Sequence, residues 1–152
     1  MALLSSTRND NDVTGQNSVY HGTDYFQSDA GQTFAGTHLL LDFWGARRLT
    51  EPTFIDQTLR AAAHAAGATV LHSHMHRFSP SDGVTGVVVL SESHITIHTW
   101  PERDFAAIDI FMCGGCKVRD AVPTLTNAFQ PARIDVQTQR RGLVPTDNDE
   151  SA

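Results

Sequence analysis

The apolar residues of this chain fall into blocks whose spacing switches between that of a strand and that of a helix. His38 to Trp44 (HLLLDFW) is apolar and aromatic enough for a buried strand. Thr50 then stands where a helix cap is expected, Pro52 suits a first turn, and Phe54, Ile55, Leu59, Ala62, Ala63 and Ala66 share a helical stripe that Gly67 ends. Ala68 to Phe78 predicts a second strand, Gly83 breaks the chain, and Val84 to Leu90 (VTGVVVL) is a β-branched run suited to the middle of a sheet. Ile95 to Trp100 and Phe105 to Met112 read as further strands, parted by Pro101 to Asp104. Val118, Ala121, Val122, Leu125, Ala128 and Phe129 fit a second amphipathic helix with Pro123 in its first turn, and Ile134 to Gln137 closes the sheet.

Short connections between consecutive strands favour hairpins, and helices before and after the strand block can cover one face of the sheet. The expected fold is α+β: a two-layer sandwich of an antiparallel sheet with two helices on one face. A sheet covered on one side has to hide its other face or make it polar, which favours a homodimer.

With 152 residues, 40% of them apolar, the chain is long enough for one domain and too short for two. Residues 1–34 are polar and lack an apolar period, so they read as a disordered N-terminal arm; residues 143–152 read as a disordered acidic tail. The arm sets Arg8 against Asp10, Asp12, Asp24 and Asp29, and the tail carries Asp147, Asp149 and Glu150. These ends hold the whole net charge of −6, which leaves the domain at 35–142 close to neutral. No basic footprint for nucleic acid or an anionic membrane is present. No apolar run approaches the ~18 residues of a membrane span, and Met1 to Leu4 does not begin a signal peptide, so a cytoplasmic location is expected.

Chemistry concentrates between Leu90 and Cys113 (LSESHITIHTWPERDFAAIDIFMC), where two serines, two histidines and a cysteine are mixed with strand-forming residues. Ser91-Glu92-Ser93-His94, Ile97-His98-Thr99-Trp100-Pro101-Glu102 and Cys113-Gly114 together resemble the bacterial and archaeal S-adenosylmethionine decarboxylases, proenzymes that make their own pyruvoyl group. Gly67-Ala68-Thr69, His76-Arg77-Phe78 and Gly86-Val87-Val88-Val89 extend the likeness over about residues 36–142.

The resemblance implies self-cleavage between Glu92 and Ser93 into two chains that stay associated. Attack of the Ser93 hydroxyl on the Glu92 carbonyl turns the amide into an ester; β-elimination and loss of ammonia then leave a pyruvoyl group at the new N-terminus. That carbonyl forms a Schiff base with the substrate amine and takes up electrons as CO₂ departs, with no metal or external cofactor. Cys113 matches the family's proton donor and His98 its processing histidine. Thr85 stands where the family commonly has a processing serine. Glu102 matches the acid that holds the ribose hydroxyls, and Phe78 lies near the aromatic that stacks on adenine. The implied product is the aminopropyl donor for spermidine synthesis, made by a homodimer of cleaved heterodimers.

Geometry adds a constraint. Ser93 and His98 are five residues apart; in a straight strand they are roughly 17 Å apart and on opposite faces. Either the chain turns near His94 or a second protomer contributes groups.

Rival readings attach to other residues. His72, His74 and His76 alternate so that a strand puts all three on one face, either as a zinc-binding array or, more simply, as exposed histidines. Cys113 and Cys116 in CGGC have the spacing of half a zinc site or a redox pair, but no second half and no thioredoxin-like setting. The same machinery on arginine or ornithine, or an unprocessed homologue that regulates a true decarboxylase, are the competing functions. Glu102 favours the nucleoside substrate, and Ser93, His98 and Cys113 together argue against an inactive partner.

Overall fold

Six strands pair into one antiparallel sheet in the computed structural model, which describes residues 25–145. In chain order the elements are a hairpin of β1 (Gln27–Asp29) and β2 (Gln32–Phe34), then β3 (Gly36–Trp44), α1 (Pro52–Ala65), β4 (Val70–Arg77), β5 (Val84–Leu90), β6 (Ser93–Trp100), β7 (Phe105–Cys113), α2 (Ala121–Phe129) and β8 (Arg133–Arg141). The large sheet has the order β4-β5-β6-β7-β3-β8, so four consecutive strands form a meander and β3 inserts between β7 and β8.

Alternation along the strands divides the sheet into two faces. One face carries Leu39, Leu41 and Phe43 of β3, Val84 and Val88 of β5, Ile95 and Ile97 of β6, and Ile108, Ile110 and Met112 of β7, all buried. Ile55, Leu59, Ala62 and Ala63 of α1 and Ala121, Leu125 and Phe129 of α2 close the core against it. Burying each large side chain here contributes about 1.5–3 kcal/mol. The Phe129 ring meets Phe43 and Phe54 edge-on at 6.4 and 5.7 Å. Thr99 is a buried polar residue of this face; its hydroxyl accepts the Val84 N–H at 2.7 Å and donates to the Leu49 carbonyl at 2.8 Å. Gly86 leaves room for the end of the Met75 side chain, which would have to shift if a Cβ stood there.

The other face has no helix on it among the described residues. It presents His72, His74 and His76 of β4, Thr85, Val87 and Val89 of β5, His94, Thr96, His98 and Trp100 of β6, and Asp109 and Phe111 of β7. Val89 and Trp100 are exposed there.

Three features differ from expectation. Thr50 does not cap α1: Glu51 takes the cap position without a side-chain bond to the helix and pairs instead with Arg48 at 2.7 Å. Strand β6 begins at Ser93 rather than Ile95, because pairing of Leu90 with Ser93 confines the turn to Ser91 and Glu92. The N-terminal arm expected over 1–34 is a hairpin over Gln27–Phe34, tied to the sheet by Phe34 in the core, by Arg140 bonding to Asp29 and Gln32, and by the Val144 N–H on the Thr33 carbonyl. The rest of that arm (1–24) and residues 146–152 of the acidic tail lie outside the described residues.

Candidate active site

The turn between β5 and β6 places Glu92 in the left-handed backbone region, with φ of 58°. For a residue with a Cβ this costs about 1–2 kcal/mol, so strain is stored beside the bond that joins Glu92 to Ser93. Ser93 is buried at the start of β6, next to the last residue of β7. The Cys113 N–H donates to Ser93 Oγ at 3.3 Å, the Ser93 hydroxyl and the Cys113 thiol are 3.7 Å apart, and the thiol donates to the Glu92 carbonyl oxygen at 3.1 Å. A hydroxyl, the carbonyl of the preceding residue and a donor on that carbonyl's oxygen are therefore assembled in one place. These residues fit a pyruvoyl group derived from Ser93.

At the other end of the same two strands, Thr85 and His98 are directly paired in register, and Thr85 Oγ1 hydrogen-bonds His98 Nδ1 at 3.0 Å. Both line a cavity of about 220 Å³ together with Phe78, Trp100 and Glu102. Phe78 is exposed and its ring meets His76 edge-on at 4.6 Å. The sequence-predicted residues thus gather into two groups, Glu92, Ser93 and Cys113 at one end and Phe78, Thr85, His98 and Glu102 at the other. Strand β6 runs unbroken from Ser93 to Trp100, so no turn near His94 brings His98 back to Ser93.

Between the groups lies a cluster with little signal in the sequence. His94 stacks on Phe111 at 5.8 Å and meets His38 edge-on at 6.3 Å, while His38 Nε2 is 3.4 Å from Asp109 Oδ1. Burial, then the neighbouring His38, lowers the His94 pKa, and Asp109 partly opposes this. The sequence reads His38 only as the start of a strand, because what it touches lies on two other strands.

His72, His74 and His76 do share the open face of β4, but among the described residues no three His, Cys, Asp or Glu side chains gather closely enough to hold a metal ion. Cys113 and Cys116 are free thiols. Burial raises the Cys116 pKa, and Cys113 adds to the effect. No helix among the described residues is long and apolar enough to cross a membrane.

Comparison with known proteins agrees with this geometry. The family described as S-adenosylmethionine decarboxylase matches residues 37–142. A protein of Methanococcus maripaludis (strain C7) named S-adenosylmethionine decarboxylase proenzyme is 44% identical over 115 residues, covering 74% of this chain and 93% of the relative. The protein of the same name from Thermomicrobium roseum is 36% identical over 110 residues, covering 72% and 95%. The crystal structure of the adenosylmethionine decarboxylase from Aquifex aeolicus VF5 superposes with a TM-score of 0.64 at 36% identity, over 74% of this chain and 94% of that one. With the match spanning the sheet, both helices and both residue groups, this chain belongs to the S-adenosylmethionine decarboxylase family.

Proposed function

We propose that the chain is a self-processing S-adenosylmethionine decarboxylase that cleaves itself between Glu92 and Ser93. The observation that carries this reading is the Cys113 thiol on the Glu92 carbonyl oxygen beside the Ser93 hydroxyl. Ser93 Oγ attacks the Glu92 carbonyl carbon, and the carbonyl oxygen gains negative charge where the thiol already donates. Collapse breaks the C–N bond and leaves an ester, with the amine of Ser93 free. Loss of the Ser93 Cα proton expels the Glu92 carboxylate, and water then releases ammonia from the new terminus. The resulting pyruvoyl group supplies a carbonyl that engages the substrate amine and accepts electrons as CO₂ leaves. Cys113 delivers the proton that replaces CO₂.

The separation of the two groups supports a homodimer in which a second copy brings His98 and Thr85 to the Ser93 end. His98 then serves as the base for the Cα proton, with Thr85 on Nδ1 to fix its tautomer. The uncovered face, with Val87, Val89, Trp100 and Phe111, supports the same assembly. Glu102 and Phe78, beside His98 at the small cavity, are suited to the ribose hydroxyls and the adenine ring. Arginine, ornithine and a purely regulatory role are not favoured by the comparisons. A cytoplasmic site of action accompanies this reading.

Denaturing mass measurement of the purified protein tests it. The expected result is two fragments divided after Glu92, the 93–152 piece carrying a pyruvoyl rather than a serine terminus. A single uncleaved chain that nonetheless decarboxylates S-adenosylmethionine would overturn it.

A further inference from the structure

Strand β7 ends at Cys113, and the chain then passes through Gly114 and Gly115 before Lys117 rejoins the core by its N–H on the Ala66 carbonyl at 3.0 Å. Two successive glycines give this segment wide conformational freedom. The Cys116 N–H reaches the Cys113 carbonyl only at 3.5 Å, and Gly115 is exposed with open space around its Cα. A cavity of about 630 Å³ adjoins the loop, lined in part by Gly114, Cys116 and Lys117, so there is room for it to move. Cys113 itself is held by its pairing with Gly36 of β3 and by its N–H on Ser93 Oγ, but the loop that follows it makes few contacts of its own to fix the Cys113–Gly114 peptide.

The β1–β2 hairpin supplies what is missing. Both backbone polar groups of Gly114 are held by it and by the segment just before it: the N–H donates to the carbonyl of Tyr25, two residues ahead of β1, at 2.7 Å, and the carbonyl accepts Gln27 Nε2 at 2.7 Å. The Gln27 amide is itself oriented, because Thr37 Oγ1 on β3 donates to its Oε1 at 3.3 Å. Gly114 has φ of 60°, a conformation that favours glycine, and a Cβ there would crowd the Tyr25 ring at 3.2 Å. The hairpin lies before the stretch 37–142 matched by the family and is anchored at its far side by Phe34 and Arg140.

We propose that Gln27, oriented by Thr37, is a positioning residue that holds the Cys113–Gly114 peptide so that the Cys113 thiol stays on the Glu92 carbonyl oxygen. The proposal rests on the reading of Cys113 given above for its catalytic consequence, but the positioning itself is testable without turnover. A displacement of about 1 Å in such a group is enough to slow chemistry by up to ~100-fold.

The test uses the full chain in two backgrounds. In an uncleaved Ser93→Ala, Cys116→Ser background, Cys113 is the one remaining thiol, and its alkylation rate by iodoacetamide is measured with Gln27 intact, with Gln27→Glu and with Thr37→Val. Gln27→Glu keeps the shape and the acceptor for Thr37 but sets a carboxylate against the Gly114 carbonyl. Alkylation is expected to rise about tenfold for Gln27→Glu and about threefold for Thr37→Val, each in a chain that still unfolds cooperatively. In the otherwise native chain, the same substitutions are expected to slow self-cleavage and lower kcat with KM held. Faster alkylation with kcat unmoved keeps the positioning role and removes Cys113 as proton donor. Unchanged alkylation in both variants overturns the proposal, even where Cys113→Ser still abolishes turnover.

Discussion

The two ends of β5 and β6 are built on opposite plans. At the Ser93 end the side chains of Ser93 and Cys113 are buried and held by backbone: an N–H on the hydroxyl, a carbonyl under the thiol, and a positive φ at the exposed Glu92, beside the bond proposed to be cleaved. At the His98 end they are side chains around a small cavity, Phe78, His98 and Glu102 exposed and Thr85 half-buried, joined by one side-chain hydrogen bond. On the proposed reaction the first end needs its geometry fixed before anything binds, because the chain would react with itself. The second has the form of half a site, whose other wall is a partner or a substrate. The length of one strand separates the groups, which is why the proposed chemistry draws them from two copies.

The largest effect that sharpens this contrast is Ser93→Ala. It should give a stable chain with no cleavage and no decarboxylation, read by denaturing mass and CO₂ release. His98→Ala should slow cleavage by about 10²–10⁴-fold, the usual range for loss of a general base, while leaving the fold intact because His98 is exposed. Mixing copies that carry Ser93→Ala with copies that carry His98→Ala is the sharper form of that experiment. If each site takes Ser93 from one copy and His98 from the other, random pairing should restore about a quarter of the sites. No recovery above the separate variants would show that both groups act within one chain.

Glu102→Gln should raise KM for S-adenosylmethionine about tenfold with kcat little changed and cleavage unaffected, since loss of one charged hydrogen bond to bound substrate is worth about 1.5–3 kcal/mol. An effect on cleavage instead would move Glu102 to the other group.

The smallest effect concerns His94, which lies between the two ends. Its folded pKa is depressed by burial and by His38, so the unfolded chain binds the proton more readily. Stability is then present in full above the unfolded value near 6.5 and is lost as pH falls toward the lowered one. A melting temperature that declines below about pH 6.5, with a shallower decline in His94→Gln, is the expected outcome. An equal slope in the variant would assign the acid sensitivity to other groups.

Much of this architecture was readable in one dimension. The period of Leu39, Leu41 and Phe43, the stripe of Ile55, Leu59 and Ala62, and the run Val84 to Leu90 each record burial of one side, which depends on residues a few positions apart. The S-E-S-H and I-H-T-W-P-E stretches likewise carried the family, because the chemistry demands those side chains in that order. Even the distance between Ser93 and His98 followed from strand geometry alone. What only the tertiary structure decided depends on register and on turns. Cys113 reaches the Glu92 carbonyl across 21 positions because β6 and β7 pair as they do, and Glu92 takes a positive φ because Leu90 pairs with Ser93. The polar segment before Phe34 had no apolar period to mark it as ordered; it folds because Gly114, 87 positions from Gln27, offers an N–H and a carbonyl to pair with. Hydrophobic burial leaves a local trace in sequence, whereas a backbone hydrogen bond between distant segments uses groups that every residue shares and therefore leaves none.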